Sequence, residues 1–194
     1  MSLNKNLLWN VPNTLTMLRI VLIPVFVGIF YLPKGVIPEH WVNLSAALVF
    51  ALAAITDWLD GYLARVLDQA SAFGAFLDPV ADKLMVAAAL IVLVEFDRAG
   101  AIIALIIIGR EIAVSALREW MAGLGESGSV AVAMLGKVKT VLQMAAILFL
   151  LYYDPIGVLN VKLMGEVLID AAAFLTLLSM AYYLKAAWPR MNQR

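Results

Sequence analysis

Six long apolar stretches, separated by short polar or proline- and glycine-containing segments, account for most of the chain. A helix needs about 20 mainly apolar residues to cross the hydrocarbon core of a bilayer, and each stretch has about that length. The stretches are residues 14–32, 41–65, 74–94, 101–121, 130–153 and 163–187. The pattern therefore predicts an all-α membrane protein with six transmembrane helices.

Residues 3–11 precede the first stretch and mix Leu7, Leu8 and Trp9 with Lys5 and asparagines. That mixture is typical of a short amphipathic helix lying in the membrane interface. Elsewhere no segment is both polar enough and long enough to fold as a separate soluble domain. We therefore expect one integral membrane domain that spans residues 1–194.

Composition agrees with the hydrophobic pattern. The chain is 64% hydrophobic and only 14% charged, its mean hydropathy is +0.94, and soluble domains have about 25% charged residues. The absence of cysteine excludes disulfides, thiolate metal sites and thiol nucleophiles. His40 is the only histidine, which excludes histidine-rich metal sites. The formal net charge is zero, and nothing in it predicts nucleic-acid binding.

The distribution of lysine and arginine predicts the orientation. With six spans, both termini share one side of the membrane, and that side collects eleven of the 14 cationic residues. Positively charged residues accumulate on the cytoplasmic side, so the termini are predicted to be cytoplasmic. The eleven are Lys5, Arg19, Arg65, Lys83, Arg110, Arg118, Lys137, Lys139, Lys185, Arg190 and Arg194, against Lys34, Arg98 and Lys162 on the other side.

Four aspartates are the candidate chemistry, because ionisable groups at membrane depth are costly and mark function. Asp57 and Asp60 are three residues apart and Asp78 and Asp82 are four apart, so each pair shares a helix face. Carboxylate oxygens suit hard cations such as Mg²⁺, Mn²⁺ or Ca²⁺. Four unneutralised carboxylates would repel one another, and divalent cations would remove that repulsion. The spacing therefore predicts a metal site near the cytoplasmic face.

Small residues and one cation accompany these aspartates. Gly61, Ala64 and Gly74 allow a helix or a ligand to approach the backbone closely, and Arg65 adds a positive charge. Metal ions that face a diphosphate form a common clamp for displacement at phosphorus. We therefore interpret the segment 57–82 as one side of an active site.

The complete segment resembles the signature of the CDP-alcohol phosphatidyltransferase family. Its pattern Asp-x2-Asp-Gly-x2-Ala-Arg-x8-Gly-x3-Asp-x3-Asp is filled at all eight positions, from Asp57 to Asp82. Further segments resemble a bacterial branch of that family in which the acceptor is sn-glycerol 3-phosphate. They are Pro12-Asn13-x-Leu15-Thr16-x2-Arg19, Gly109-Arg110-Glu111-Ile112, Leu117-Arg118-Glu119-Trp120 and Gly136-Lys137-x-Lys139-Thr140-x2-Gln143.

The resemblance implies a six-helix enzyme of the bacterial cytoplasmic membrane, usually a homodimer. Such an enzyme transfers the phosphatidyl group of CDP-diacylglycerol to glycerol 3-phosphate and releases CMP. It also implies two Mg²⁺ or Mn²⁺ ions, with Asp82 as the general base and a possible second-metal contact. The implied metal ligands are Asp57, Asp60, Asp78 and Asp82, and the implied nucleotide and CDP-lipid contacts are Asp57, Asp60, Gly61, Ala64, Arg65, Gly74 and Asp78.

Four cations are candidates for the acceptor phosphate, which as a dianion calls for arginine or lysine. Arg110 and Arg118 are eight residues apart on one predicted helix, so both can face the same cavity, and Lys137 and Lys139 open the next helix from the same side. The alternative explanation is the positive-inside bias together with anchoring at the interface. Glu111 can pair with neighbouring cations, and Arg19 can either snorkel to the interface or line the cavity.

Two other classes of function are compatible with intramembrane aspartates. An intramembrane prenyltransferase also uses aspartates, Mg²⁺ and a diphosphate, but it gives no reason for Gly61, Ala64, Arg65 and Gly74. An ion or proton transporter predicts acids near the midplane and internal repeats, and no repeat is present. Within the family, inositol phosphate, serine or another phosphatidylglycerol is an alternative acceptor.

Overall fold

The computed structural model describes residues 10–33, 35–66, 71–123 and 130–191. Every regular element in this part of the chain is an α-helix, and the six helices coincide with the six predicted stretches to within a few residues. They are α1 (Val11–Phe30), α2 (Glu39–Val66), α3 (Ala72–Glu95), α4 (Ala101–Gly123), α5 (Val130–Tyr152) and α6 (Val161–Met191). The all-α prediction is confirmed.

Three of the helices are long and apolar enough to cross a membrane by length and composition. They are Pro12–Phe30, Glu39–Leu59 and Val161–Lys185, within the described residues. The other three predicted spans, α3, α4 and α5, are also helices. The count of six crossings therefore stays a prediction. Most of the predicted interfacial segment 3–11 lies outside the described residues.

The first compact unit of the chain ends at Val92. Within it, α1 packs against α2. The α1 helix starts early because Asn10 caps it: the Asn10 side chain accepts a hydrogen bond from the Asn13 N–H at 2.9 Å. Phe26 is fully buried and meets Phe30 edge-on, with 5.8 Å between ring centroids, and Phe50 of α2 at 6.4 Å. These apolar contacts fix the rotation of α1 against α2.

The second unit starts at Leu93, and in it α6 packs against both α4 and α5. Gly165 lets α5 and α6 approach closely, since a Cβ at this position would lie 2.8 Å from the Leu150 side chain and 3.2 Å from its backbone nitrogen. Arg98 closes the end of α5 by donating to the carbonyl oxygens of Leu151 at 3.0 Å and Leu150 at 3.4 Å. It also lies over the ring of Tyr153.

Candidate active site

Asp57 lies near the C-terminal end of α2 and accepts a hydrogen bond from Arg19 of α1. The distance from Arg19 Nη1 to Asp57 Oδ1 is 2.6 Å. The arginine side chain is only 1% exposed, whereas the aspartate side chain is 44% exposed. The sequence left two possibilities for Arg19, and its burial excludes the snorkelling one. The guanidinium lies behind the carboxylate, and the carboxylate faces outward.

Asp78, in the second turn of α3, has a similar arrangement. Thr16 of α1 is fully buried, and its hydroxyl lies 2.5 Å from Asp78 Oδ1, while Asp78 is half-buried. The same hydroxyl lies 3.1 Å from the carbonyl oxygen of Pro12. A hydroxyl has one proton, and an ionised carboxylate is the stronger acceptor. Thr16 is therefore best described as a donor to Asp78.

A third contact joins α1 to the start of α3. Ser71 precedes α3, accepts the N–H of Gly74 at 2.9 Å and donates to Asn13 Oδ1 at 3.0 Å. A Cβ at Gly74 would lie 2.5 Å from Asn13 Oδ1. The close approach predicted at this glycine is thus made by a side chain of α1. A role for Gly74 in nucleotide binding stays a prediction.

The remaining signature positions are less completely described. Asp82 lies one turn beyond Asp78 on α3 and is exposed. The backbone of α2 continues through Asp60, Gly61, Ala64 and Arg65, but their side-chain environments lie outside the described part of the structure. Asp57 and Asp78 each contact a side chain of the same helix, α1.

The donor set is chemically suited to a divalent cation. The contacts of Arg19 and Thr16 each engage an Oδ1 oxygen. A carboxylate held through one oxygen by a protein donor can coordinate through the other, and such outer partners orient metal ligands. Among the described side chains, no three histidine, cysteine or acidic groups are close enough to form a metal-binding set. Asp60 is not among these described side chains.

Two of the four predicted acceptor-binding cations meet in the second unit. Lys139 of α5 is 1% exposed and donates a hydrogen bond to Glu111 Oε1 of α4. Arg110 is 6% exposed, and its Nη1 lies 3.5 Å from the same oxygen. The cluster of Arg110, Glu111 and Lys139 contains two cations and one carboxylate, so it keeps one positive charge. The pairing proposed for Glu111 is confirmed.

Helix α6 supports this cluster from the other side. Arg110 Nη2 donates to Ser179 Oγ at 3.0 Å, and the guanidinium lies 5.7 Å from the ring centroid of Tyr183. Lys137 is exposed, and the side chain of Arg118 lies outside the described residues. Their part in acceptor binding stays a prediction.

Sequence reasoning assigned no role to Asn13, Thr16 or Ser71. The signal was present in the segment Pro12-Asn13-x-Leu15-Thr16-x2-Arg19, where three polar residues recur every third position of an apolar helix. Asn13, Thr16 and Arg19 are buried, with exposures of 2%, 0% and 1%, respectively. Polar side chains on one face of a membrane helix point toward protein partners. The sequence could not show that the partners of Thr16 and Arg19 were the signature aspartates.

The chain is similar to known proteins over most of its length. The family model for CDP-alcohol phosphatidyltransferases matches residues 9–183. Proteins named CDP-diacylglycerol–glycerol-3-phosphate 3-phosphatidyltransferase from Shigella flexneri serotype 5b, Salmonella typhimurium and Escherichia coli K12 are each 49% identical to the chain over 181 residues. The aligned region covers 92% of this chain and 95% of each relative. The chain belongs to the CDP-alcohol phosphatidyltransferase family.

Proposed function

We propose that the chain is a phosphatidylglycerophosphate synthase. It transfers the phosphatidyl group of CDP-diacylglycerol to sn-glycerol 3-phosphate and gives phosphatidylglycerophosphate and CMP. The observation that carries the proposal is 49% identity over nearly the full length of relatives whose name states this donor and this acceptor. The accessible carboxylates of Asp57 and Asp78 support it, because they could hold the divalent cations that neutralise a diphosphate donor.

The reaction is a displacement at the β-phosphorus of the donor. A hydroxyl oxygen of glycerol 3-phosphate bonds to that phosphorus, and the bond from phosphorus to the oxygen of CMP breaks. CMP leaves with the bonding electron pair. Asp82 takes the hydroxyl proton, and its exposure on α3 is compatible with this role. A positioned base of this kind contributes about 100- to 10,000-fold to a rate.

The carboxylates of Asp57, Asp60, Asp78 and Asp82 would hold two divalent cations, Mg²⁺ or Mn²⁺. When bound, these cations neutralise the diphosphate of the donor. Nucleotide and CDP-lipid binding is assigned to Asp57, Asp60 and Asp78 together with four neighbours. These neighbours are Gly61, Ala64, Arg65 and Gly74. Gly61 and Ala64 leave space for the cytidine, and Arg65 adds a donor for phosphate oxygens.

Acceptor binding is assigned to Arg110, Arg118, Lys137 and Lys139. The positive charge left on the cluster of Arg110, Glu111 and Lys139 supports the assignment, since a phosphate dianion binds where positive charge exceeds negative charge. A serine acceptor carries no phosphate and would not need this excess. The cluster therefore favours a phosphorylated acceptor.

We further propose one domain of six transmembrane helices over residues 1–194, with a short interfacial helix at the N-terminus. The protein would form a homodimer in the bacterial cytoplasmic membrane, with its termini and active site on the cytoplasmic side. The family match supports a single domain because it extends across both compact units. The lysine and arginine distribution supports the orientation.

Purified protein with CDP-diacylglycerol and Mg²⁺ or Mn²⁺ tests the proposal directly. We expect CMP release that depends on glycerol 3-phosphate and is weak or absent with serine, inositol phosphate or phosphatidylglycerol. Asp57→Asn serves as the inactive control. Failure to release CMP with any acceptor would overturn the proposal, and metal-dependent ion flux without turnover would favour a transporter instead.

A further inference from the structure

Three residues on one face of α1 each contact a different part of the aspartate segment. Asn13 meets Ser71 at the start of α3, Thr16 meets Asp78, and Arg19 meets Asp57. These α1 positions are three residues apart, so they form a single buried polar stripe. We refer to Asn13, Thr16 and Arg19 as the α1 stripe.

In the contacts of the α1 stripe with the aspartates, the two partners differ in burial. In both aspartate contacts the donor is buried, and the carboxylate is the more accessible partner: Arg19 is 1% exposed and Asp57 44%, while Thr16 is 0% exposed and Asp78 half-buried. A pair that served packing alone would be buried on both sides or replaced by apolar side chains, which often stabilise equally well. Here the donors lie behind the carboxylates and leave their outer side accessible.

We propose that Thr16 and Arg19 are positioning residues of the active site. They fix the orientation of the carboxylates of Asp78 and Asp57. Two aspartates from two different helices are thus positioned by the same helix, α1. The inference rests on the proposed function, since it assumes that these carboxylates bind a divalent cation. Orienting partners of metal ligands typically change metal affinity or activity about 10- to 100-fold when they are removed.

Thr16 offers the sharper test because its substitution changes no charge. Thr16→Val keeps the shape and removes the hydroxyl, and Thr16→Ser keeps the hydroxyl. Thr14→Val is the matched control, since Thr14 is exposed on the same helix and its hydroxyl donates to the carbonyl oxygen of Asn10 at 2.9 Å rather than to an aspartate of the described residues. Mn²⁺ binding is measured by electron paramagnetic resonance on the purified full-length protein without substrates.

We expect Thr16→Val to raise the Kd for Mn²⁺ about 10-fold or more, and Thr16→Ser and Thr14→Val to stay within about threefold of the parent protein. A thermal melt without metal measures folding separately. If Thr16→Val lowered the melting temperature but left the Kd for Mn²⁺ unchanged, Thr16 would be merely structural and the inference would be overturned. Absence of saturable Mn²⁺ binding by the parent protein would overturn it as well.

Arg19 is tested by turnover, because removing its charge would also change the electrostatics of the site. Arg19→Lys keeps the charge but loses the fixed direction of the guanidinium fork. We expect kcat at saturating metal to fall about 10-fold while KM for glycerol 3-phosphate changes little. An unchanged kcat contradicts the role of Arg19. If the parent protein releases no CMP, the proposed function fails, and the Mn²⁺ titrations of Thr16 still decide the inference.

Discussion

Lys139 of α5 donates a hydrogen bond to Glu111 of α4, although the lysine is 1% exposed. Arg110 shares the same carboxylate oxygen at 3.5 Å. One carboxylate therefore neutralises part of the charge of two buried cations. Buried charges are tolerated when they are paired, and removing one partner leaves the other uncompensated.

Glu111→Gln should strongly destabilise the fold, because it removes the carboxylate charge that the buried Lys139 and Arg110 both contact. Breaking a buried pair in this way costs about 3–5 kcal/mol. The free energy of unfolding in detergent, measured with a chemical denaturant, provides the check. Glu166→Gln is the control, since Glu166 pairs with Lys162 at 3.9 Å and both side chains are about half exposed. Such exposed pairs contribute little to stability. Equal effects of the two substitutions would argue against the buried cluster.

Gly74→Ala should disturb the contact between α1 and α3. Its Cβ would lie 2.5 Å from Asn13 Oδ1 and 3.2 Å from Ser71 Oγ. Overpacking of this kind costs about 1–3 kcal/mol, and adding Asn13→Ala should recover part of the loss in a double-mutant cycle. Gly28→Ala, in the same unit with no atom within 4 Å of a new Cβ, should be neutral or stabilising. The check is the melting temperature of Gly74→Ala, Asn13→Ala, the double variant and Gly28→Ala.

The six helices could be predicted because each requires only a long apolar run, which is a local property of the sequence. The first predicted stretch begins at Thr14, three residues after the start of α1. Proline is well accommodated in the first turn of a helix, where its missing N–H is not needed, and the Asn10 cap starts α1 at Val11.

The partners of α1 could not be predicted from local properties. Thr16 and Asp78 are 62 residues apart, and Arg19 and Asp57 are 38 apart. Which face of a membrane helix meets which neighbour depends on packing, here on Phe26 against Phe50. The spacing of the aspartates predicts a metal site, but only the fold shows that Thr16 and Arg19 contact two of them.

Removal of divalent cations should abolish CMP release. Without them, the carboxylates of the site repel the donor diphosphate as well as one another. We expect no turnover after dialysis against a chelator and recovery on adding Mg²⁺ or Mn²⁺. Asp78→Asn should lower kcat at least about 100-fold, while Asp97→Asn should have no effect. Asp97 is exposed in a turn with φ 55°, a conformation that asparagine also accepts. Turnover in the chelated protein would contradict the metal assignment.

Arg118→Ala should weaken binding of the acceptor more than that of the donor. A guanidinium makes charge-assisted hydrogen bonds to a phosphate, and losing them costs about 1.5–3 kcal/mol, or about 10- to 100-fold in KM for glycerol 3-phosphate. KM for CDP-diacylglycerol should change little. Lys185→Ala is the control for general surface charge, because Lys185 is exposed near the end of α6. If Arg118→Ala left KM for glycerol 3-phosphate and turnover unchanged, Arg118 would be an interface anchor and the acceptor site would lie elsewhere.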